Sequence, residues 1–222
     1  MKKYETTKLF YDEYYNKLEI HNALASIFRE KNLSYARQIL DKLQYEYELG
    51  NKLELPFGIR VKPISEEHFL DARRLYKLFS LINDFKLRVE SNVINVYSNN
   101  IAWLDKVSTE ISPSNAISMY RPKQNFKEQL DKNTILVKKS NGYQLKVTLG
   151  GKRGSADLAH WAAANPSLVK LGPKLKEELL ESGYVNGMYF YVRDERILHL
   201  CSLITDNIRR VDKLVVNTSL DK

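Results

Sequence analysis

The chain has 222 residues, of which 43% are apolar and 28% charged, a balance that supports a sizeable buried core and excludes extended disorder. No apolar run approaches the roughly 18 residues needed to span a bilayer; Met1-Lys2-Lys3-Tyr4-Glu5 leads into no apolar segment of the kind a secretory signal needs, and one cysteine, Cys201, excludes an internal disulfide. The net charge is +8, and +7 of it falls between Met119 and Arg153, where nine basic residues face only Glu128 and Asp131.

In chain order, Thr7 to Tyr11 and Tyr15 to Ile20 are aromatic and β-branched around Asp12-Glu13, which predicts a short hairpin. From Asn22 the spacing of Leu24, Ile27 and Phe28 is helical. A second helix follows, capped by Asn32 or Ser34, with Ala36, Ile39, Leu40, Leu43 and Tyr47 as its stripe and Gly50 as its stop. Leu53 to Lys62 is extended but interrupted by Pro56 and Gly58, as suits an edge. Ser65 is the N-cap of the clearest helix, with Glu66 and Glu67 at its positive end and Phe69, Ala72, Leu75, Tyr76, Phe79 and Ile82 on its apolar side.

Phe85 to Tyr97 reads as a hairpin turning at Ser91-Asn92. That register pairs Val89 with Ile94 and Leu87 with Val96, and leaves Lys86, Arg88, Asn95 and Tyr97 on the other face. Ser98 is expected to cap a helix carrying Ile101, Trp103, Leu104 and Val107. After the break at Ser112-Pro113-Ser114 and a short helix around Phe126 to Leu130, Thr134 to Leu149 predicts a second hairpin turning at Asn141-Gly142, with Lys138 facing Leu145 and Leu136 facing Val147. A helix with a tryptophan, Trp103 or Trp161, follows each hairpin, which suggests a repeated β-β-α unit.

Asn165-Pro166 ends the Trp161 helix, and Gly172-Pro173 starts another with Leu175, Leu179 and Leu180 inward and Gly183 as its stop. Met188 to Val192 reads as a central strand covered on both faces. Ile197 to Ile204 is helical by spacing and Val211 to Val216 is either a last strand or a continuation; a strand-helix-strand closure is the preferred reading, with Asn217 to Lys222 loose. The expected fold class is α+β, a mainly antiparallel sheet built from hairpins with helices on one face. It divides into a helical region with short strands over 1–83 and an α+β domain over 84–222, or forms one continuous domain.

Chemistry is sparse. His21, His68, His160 and His199 show no metal-ligand spacing, Cys201 lies in an apolar run as a buried inert thiol, and Asp194-Glu195 between Arg193 and Arg196 reads as a solvated turn. No metal or cofactor is expected. A metal-independent phosphodiesterase using histidine, tyrosine and lysine is a minor alternative that leaves little local signature. Gly150-Gly151-Lys152-Arg153-Gly154-Ser155 has the ingredients of an anion loop in Gly151, Gly154 and Ser155 ahead of a helix, but not the order of a Walker motif.

A pI of 9.3 favours an anionic partner. Lysine and arginine neutralise phosphates and release counterions, while exposed tyrosines stack on unpaired bases at about 1–3 kcal/mol each. The candidate nucleic-acid contacts are Arg121, Lys123, Lys139, Lys146, Lys152 and Arg153, with Arg88 and Tyr97 on the first hairpin. The ordinary alternatives are a basic loop that only aids solubility, and a Tyr97 ring packed under a neighbouring element. The expected function is a non-catalytic nucleic-acid-binding accessory protein, DNA and RNA undistinguished and no membrane involved. It would be cytoplasmic, in a host cell if the Lys-, Asn-, Ile- and Tyr-rich composition marks a viral origin. The alternative is a structural or assembly protein that docks an acidic protein partner.

Overall fold

In the computed structural model, which describes residues 1–57 and 60–217, the chain divides into two units, Met1–Lys127 and Glu128–Lys222. In chain order the first unit contains β1 (Lys2–Glu5), β2 (Asn16–His21), a 3₁₀ segment (Ala25–Lys31), α1 (Leu33–Glu48), the hairpin β3 (Glu54–Phe57) and β4 (Arg60–Pro63), and α2 (Glu66–Ser80). The hairpin β5 (Lys86–Glu90) and β6 (Val93–Ser98), then α3 (Ile101–Glu110), β7 (Ala116–Arg121) and a second 3₁₀ segment (Gln124–Gln129) follow. Gly58 and the tail beyond 217 lie outside the described residues.

Strand order in the first sheet is β1-β7-β2-β6-β5. The β5–β6 hairpin has the expected register, Val89 opposite Ile94 and Leu87 opposite Val96, with Ser91 at φ 52° in the turn. Because β6 continues its pairing into β2, from Asn16–Ser98 to His21–Val93, the hairpin belongs to the sheet begun by the N-terminus. The expected boundary at 83/84 therefore falls inside the first unit.

The hairpin expected between Thr7–Tyr11 and Tyr15–Ile20 does not form. β2 is taken by β6 on one side and β7 on the other, and residues 6–15 loop out with a single bridge between Phe10 and Tyr14. β7 itself, unforeseen from the sequence, pairs in parallel with β1 and antiparallel with β2.

Local chemistry fixes the helix ends. Asn32 accepts the Tyr35 N–H at 3.0 Å and Ser65 accepts the His68 N–H at 3.3 Å, while Gly50 ends α1 at φ 72°. The cap of α3 is Asn100, which accepts the Trp103 N–H at 3.0 Å; Ser98 instead orients the cap by accepting the Asn100 N–H.

One face of the sheet, with Leu18, Ile20, Ile94, Val96 and Met119, is buried in a core shared by Ala36, Leu40, Phe69, Phe79 and Leu104 of the helices. Each such large side chain contributes about 1.5–3 kcal/mol on removal from water. Within that core Asp71, fully buried, accepts hydrogen bonds from the Ser112 N–H at 2.9 Å, Asn115 Nδ2 at 2.8 Å and Arg74 Nη1 at 2.9 Å. The carboxylate thereby ties α2 to the α3–β7 connection.

The second unit contains β8 (Thr134–Val137), β9 (Leu145–Leu149), α4 (Ala156–Ala164), β10 (Val169–Leu171), α5 (Pro173–Leu180), β11 (Tyr189–Val192), α6 (Glu195–Ile204) and β12 (Ile208–Val216), in the sheet order β10-β11-β9-β12-β8. β8 and β9 are not a hairpin. β12 enters between them, parallel to β8 from Thr134–Lys213 to Val137–Val216 and antiparallel to β9. The nine-residue β12 offers both edges of its backbone, and a local turn signal at Asn141-Gly142 carries no information about that competitor. The second β-β-α segment thus repeats the first in element order but not in pairing.

α4, α5 and α6 cover one face through Leu158, Ala162, Leu175, Leu179, Ile197 and Cys201, and the strand-helix-strand closure through α6 is present. Leu180, expected inward, is 44% exposed. Burial raises the Cys201 thiol to about 11, so the thiolate is scarce at neutral pH, as an inert core cysteine requires. The fold is α+β with mostly antiparallel pairing, and no helix among the described residues is long and apolar enough to cross a membrane.

Asp71 and His68 are polar groups held by hydrogen bonds within the first unit. Asp71→Ala strands its buried donors and should lower unfolding free energy by about 2–4 kcal/mol in denaturant titrations; Asp71→Asn should recover only part of that. His68 accepts the Ala23 N–H at Nδ1 (2.8 Å), and burial, with His21 at 5.4 Å between ring centres, lowers its pKa below 6.5. The folded state therefore binds fewer protons than the unfolded one, so this contribution is complete above about pH 6.5 and is lost as pH falls below it. His68→Gln should flatten the stability–pH curve over that interval.

Candidate nucleic-acid interface

The basic window is shared between the units, with 119–127 in the first and 128–153 in the second. In the first, the parallel register of β1 on β7 sets Tyr4 opposite Tyr120 and Glu5 opposite Arg121. The Tyr4 and Tyr120 rings stack at 4.9 Å. Beyond Arg121, Pro122 turns the chain into the second 3₁₀ segment, which returns Lys123 and Lys127 toward β1. Lys3, Arg121, Lys123 and Lys127 thereby line one cleft of about 770 Å³, with Tyr4 in its wall. Glu5 is the acidic group of that lining and pairs with Lys123 at 3.5 Å. Lys127 also lies over the Tyr15 ring at 5.0 Å. A concave surface lined mainly by one sign of charge concentrates counter-ions.

Arg88 and Tyr97 sit on the face of the first sheet that the helices leave. Tyr97 does not present its ring to solvent: it is 6% exposed, covered by Phe10 at 5.5 Å and Tyr11 at 5.0 Å, and burial raises its phenol pKa. The 6–15 loop, freed from the hairpin expected of it, is what covers it. Arg88 is exposed but paired with Glu90 at 2.6 Å.

In the second unit Lys139 is exposed in the connection after β8. Lys146 projects from β9 on the face opposite the helices and lies 3.9 Å from the centre of the Tyr189 ring. Tyr191 and Tyr143 extend that aromatic row, at 5.6 Å from Tyr189 and 6.3 Å from Tyr191 respectively. β11 is therefore not covered on both faces. Phe190 and Val192 are buried, while Tyr189 is 45% exposed. The alternation of tyrosine with apolar residues was present in the sequence, but four consecutive aromatic and β-branched side chains masked it.

The loop 150–155 behaves as a packed connection. Lys152 is paired with Asp206, its N–H donates to Asn207 Oδ1, and Arg153 lies over the Tyr184 ring at 5.2 Å. Ser155 accepts the Asp157 N–H and so caps α4. Gly151 is open on its side-chain side, whereas a Cβ on Gly154 would meet Leu179 Cα at 3.0 Å. Asp194 likewise caps α6, accepting the Ile197 N–H at 3.0 Å. Among the described residues no group of three or more His, Cys, Asp or Glu side chains is placed to hold a metal ion.

No protein-family model, curated protein or solved structure matches the chain. Lys3, which sequence reasoning did not single out, reaches the cleft through a strand pairing more than one hundred residues apart, which leaves no local signal; Lys127 lies within the basic window but outside the expected contacts.

If Gly154 serves packing, Gly154→Val should cost about 1–3 kcal/mol by crowding Leu179 and Val185, while Gly151→Ala stays within about 0.5 kcal/mol of the parent in thermal unfolding. Equal effects of the two would remove close packing as the reason for glycine at 154.

Proposed function

We propose that the protein is a nucleic-acid-binding accessory factor without chemistry of its own, and that its principal phosphate contacts are made from the cleft of the first unit. The observation that carries this reading is the convergence of Lys3 with Arg121, Lys123 and Lys127 on one concavity beside the stacked Tyr4 and Tyr120 rings. Cations from separate segments meeting there suit a backbone of regularly spaced phosphates, and backbone contact alone gives affinity without sequence preference. Lys139, Lys146 and Arg153 supply further positive charge on the second unit.

A second reading is favoured by Glu5. Its ion pair with Lys123 supports a reading in which the cleft lysines take carboxylates of an acidic protein partner in an assembly.

The test is fluorescence anisotropy of a labelled oligonucleotide over a salt series. Arg121→Glu, Lys123→Glu and Lys127→Glu together should weaken binding at least tenfold at low salt and reduce the slope of log affinity against log salt by about two or more. A triple variant that binds as the parent does would remove the cleft from the reading. Association with an acidic polypeptide that survives nuclease treatment, without oligonucleotide binding, would favour the assembly protein instead.

A further inference from the structure

The second unit holds a notch that the basic window does not include. β10 has only three residues and leaves β11 after Leu171–Phe190. The next pair would set Gly172 against Tyr189, but Gly172-Pro173 turns away into α5 and Tyr189 is left without a neighbour on that side. The gap is a pocket of about 460 Å³, within the ~300–1,000 Å³ range of small-ligand sites. Tyr189 and Tyr191 form its aromatic wall, Met188 and Pro173 add apolar surface, and the exposed Lys170 and Lys174 stand at its rim. None of the described residues lining it is acidic.

Gly172 adds a second observation. Its φ of −72° is open to any residue, and a Cβ there would have no atom within 4 Å. Glycine here is the N-cap of α5, and its side-chain direction is empty space within 4 Å.

We propose that this notch receives an unpaired base of a single-stranded nucleic acid, stacked on Tyr189, with the flanking phosphates neutralised by Lys170 and Lys174. The inference rests on the nucleic-acid reading above and adds to it the strandedness of the ligand. Lys146 lies over one face of the Tyr189 ring, 3.9 Å from its centre, so a planar base is matched by the other face, and the lysines match the phosphate on either side of it. A duplex, whose bases are already stacked and paired, offers nothing to the notch. An acidic peptide would satisfy the lysines but not the ring.

The experiment uses the full chain and a 2-aminopurine-labelled single strand, alongside a blunt duplex of the same sequence. Binding of the single strand to the parent protein should change the 2-aminopurine fluorescence through stacking. Tyr189→Ala, and Gly172→Leu as a variant whose Cβ meets no atom within 4 Å and whose side chain enters the notch, should each abolish that change and weaken single-strand affinity about 5- to 150-fold, with duplex affinity held within twofold. Circular dichroism of both variants should match the parent.

A fluorescence change that persists in both variants overturns the inference while leaving the cleft to be judged by its own charge reversals. So does equal weakening of single strand and duplex. If the cleft triple variant binds as the parent while the notch variants lose the signal, the notch stands and the cleft falls. Absence of any oligonucleotide binding by the parent overturns both.

Discussion

Both five-stranded sheets are covered by helices on one face only, and this one-sided cover decides which strand residues turn toward the helices and which turn away. In the first unit Leu18, Ile20, Ile94 and Val96 turn toward the helices, so Lys17, Glu19, Asn95 and Tyr97 must turn away. In the second, Val147, Phe190 and Val192 go in, and Lys146, Tyr189 and Tyr191 are sent out by the same pleat. Aromatic rings among cations on the outward faces are thus a geometric consequence of where the helices lie.

What becomes of those outward rings differs between the units. Residues 6–15 fold back over the first sheet and place Phe10, Tyr11 and Tyr14 against Tyr97, so the aromatic cluster closes on itself. Lys17, 4.9 Å from the Tyr120 ring centre, is drawn into the same cluster. On the second sheet the early departure of β10 leaves Tyr189 45% exposed. A tyrosine on a strand is a stacking surface only when no other segment of the chain has claimed its face.

Charge follows the same logic. The density of lysine and arginine in the basic window is a property of the sequence, but its effect depends on which cations are already matched. Lys152 is drawn to Asp206 and Lys123 to Glu5, each from a remote segment, and exposed pairs of this kind are worth only about 0–1 kcal/mol, weak enough for a phosphate to displace. Lys3, outside the window, joins Arg121 and Lys127 because β1 lies along β7.

Sequence by itself determined the helices α1 and α2, the cap at Ser65 and the choice of Asn32 or Ser34 for the other, the register of the β5–β6 hairpin, the inert Cys201 and the α+β class. Each is fixed by side chains within a few residues of one another, through capping bonds, turn geometry or the period of apolar positions. Only the tertiary structure decided that β7 joins β1 and β2, that β12 separates β8 from β9, that Tyr97 is covered while Tyr189 is exposed, and that Lys3 belongs with Arg121. Those outcomes are competitions between distant strands for the same backbone edges and the same faces, and the free energy that settles them is spread over pairings no short window contains.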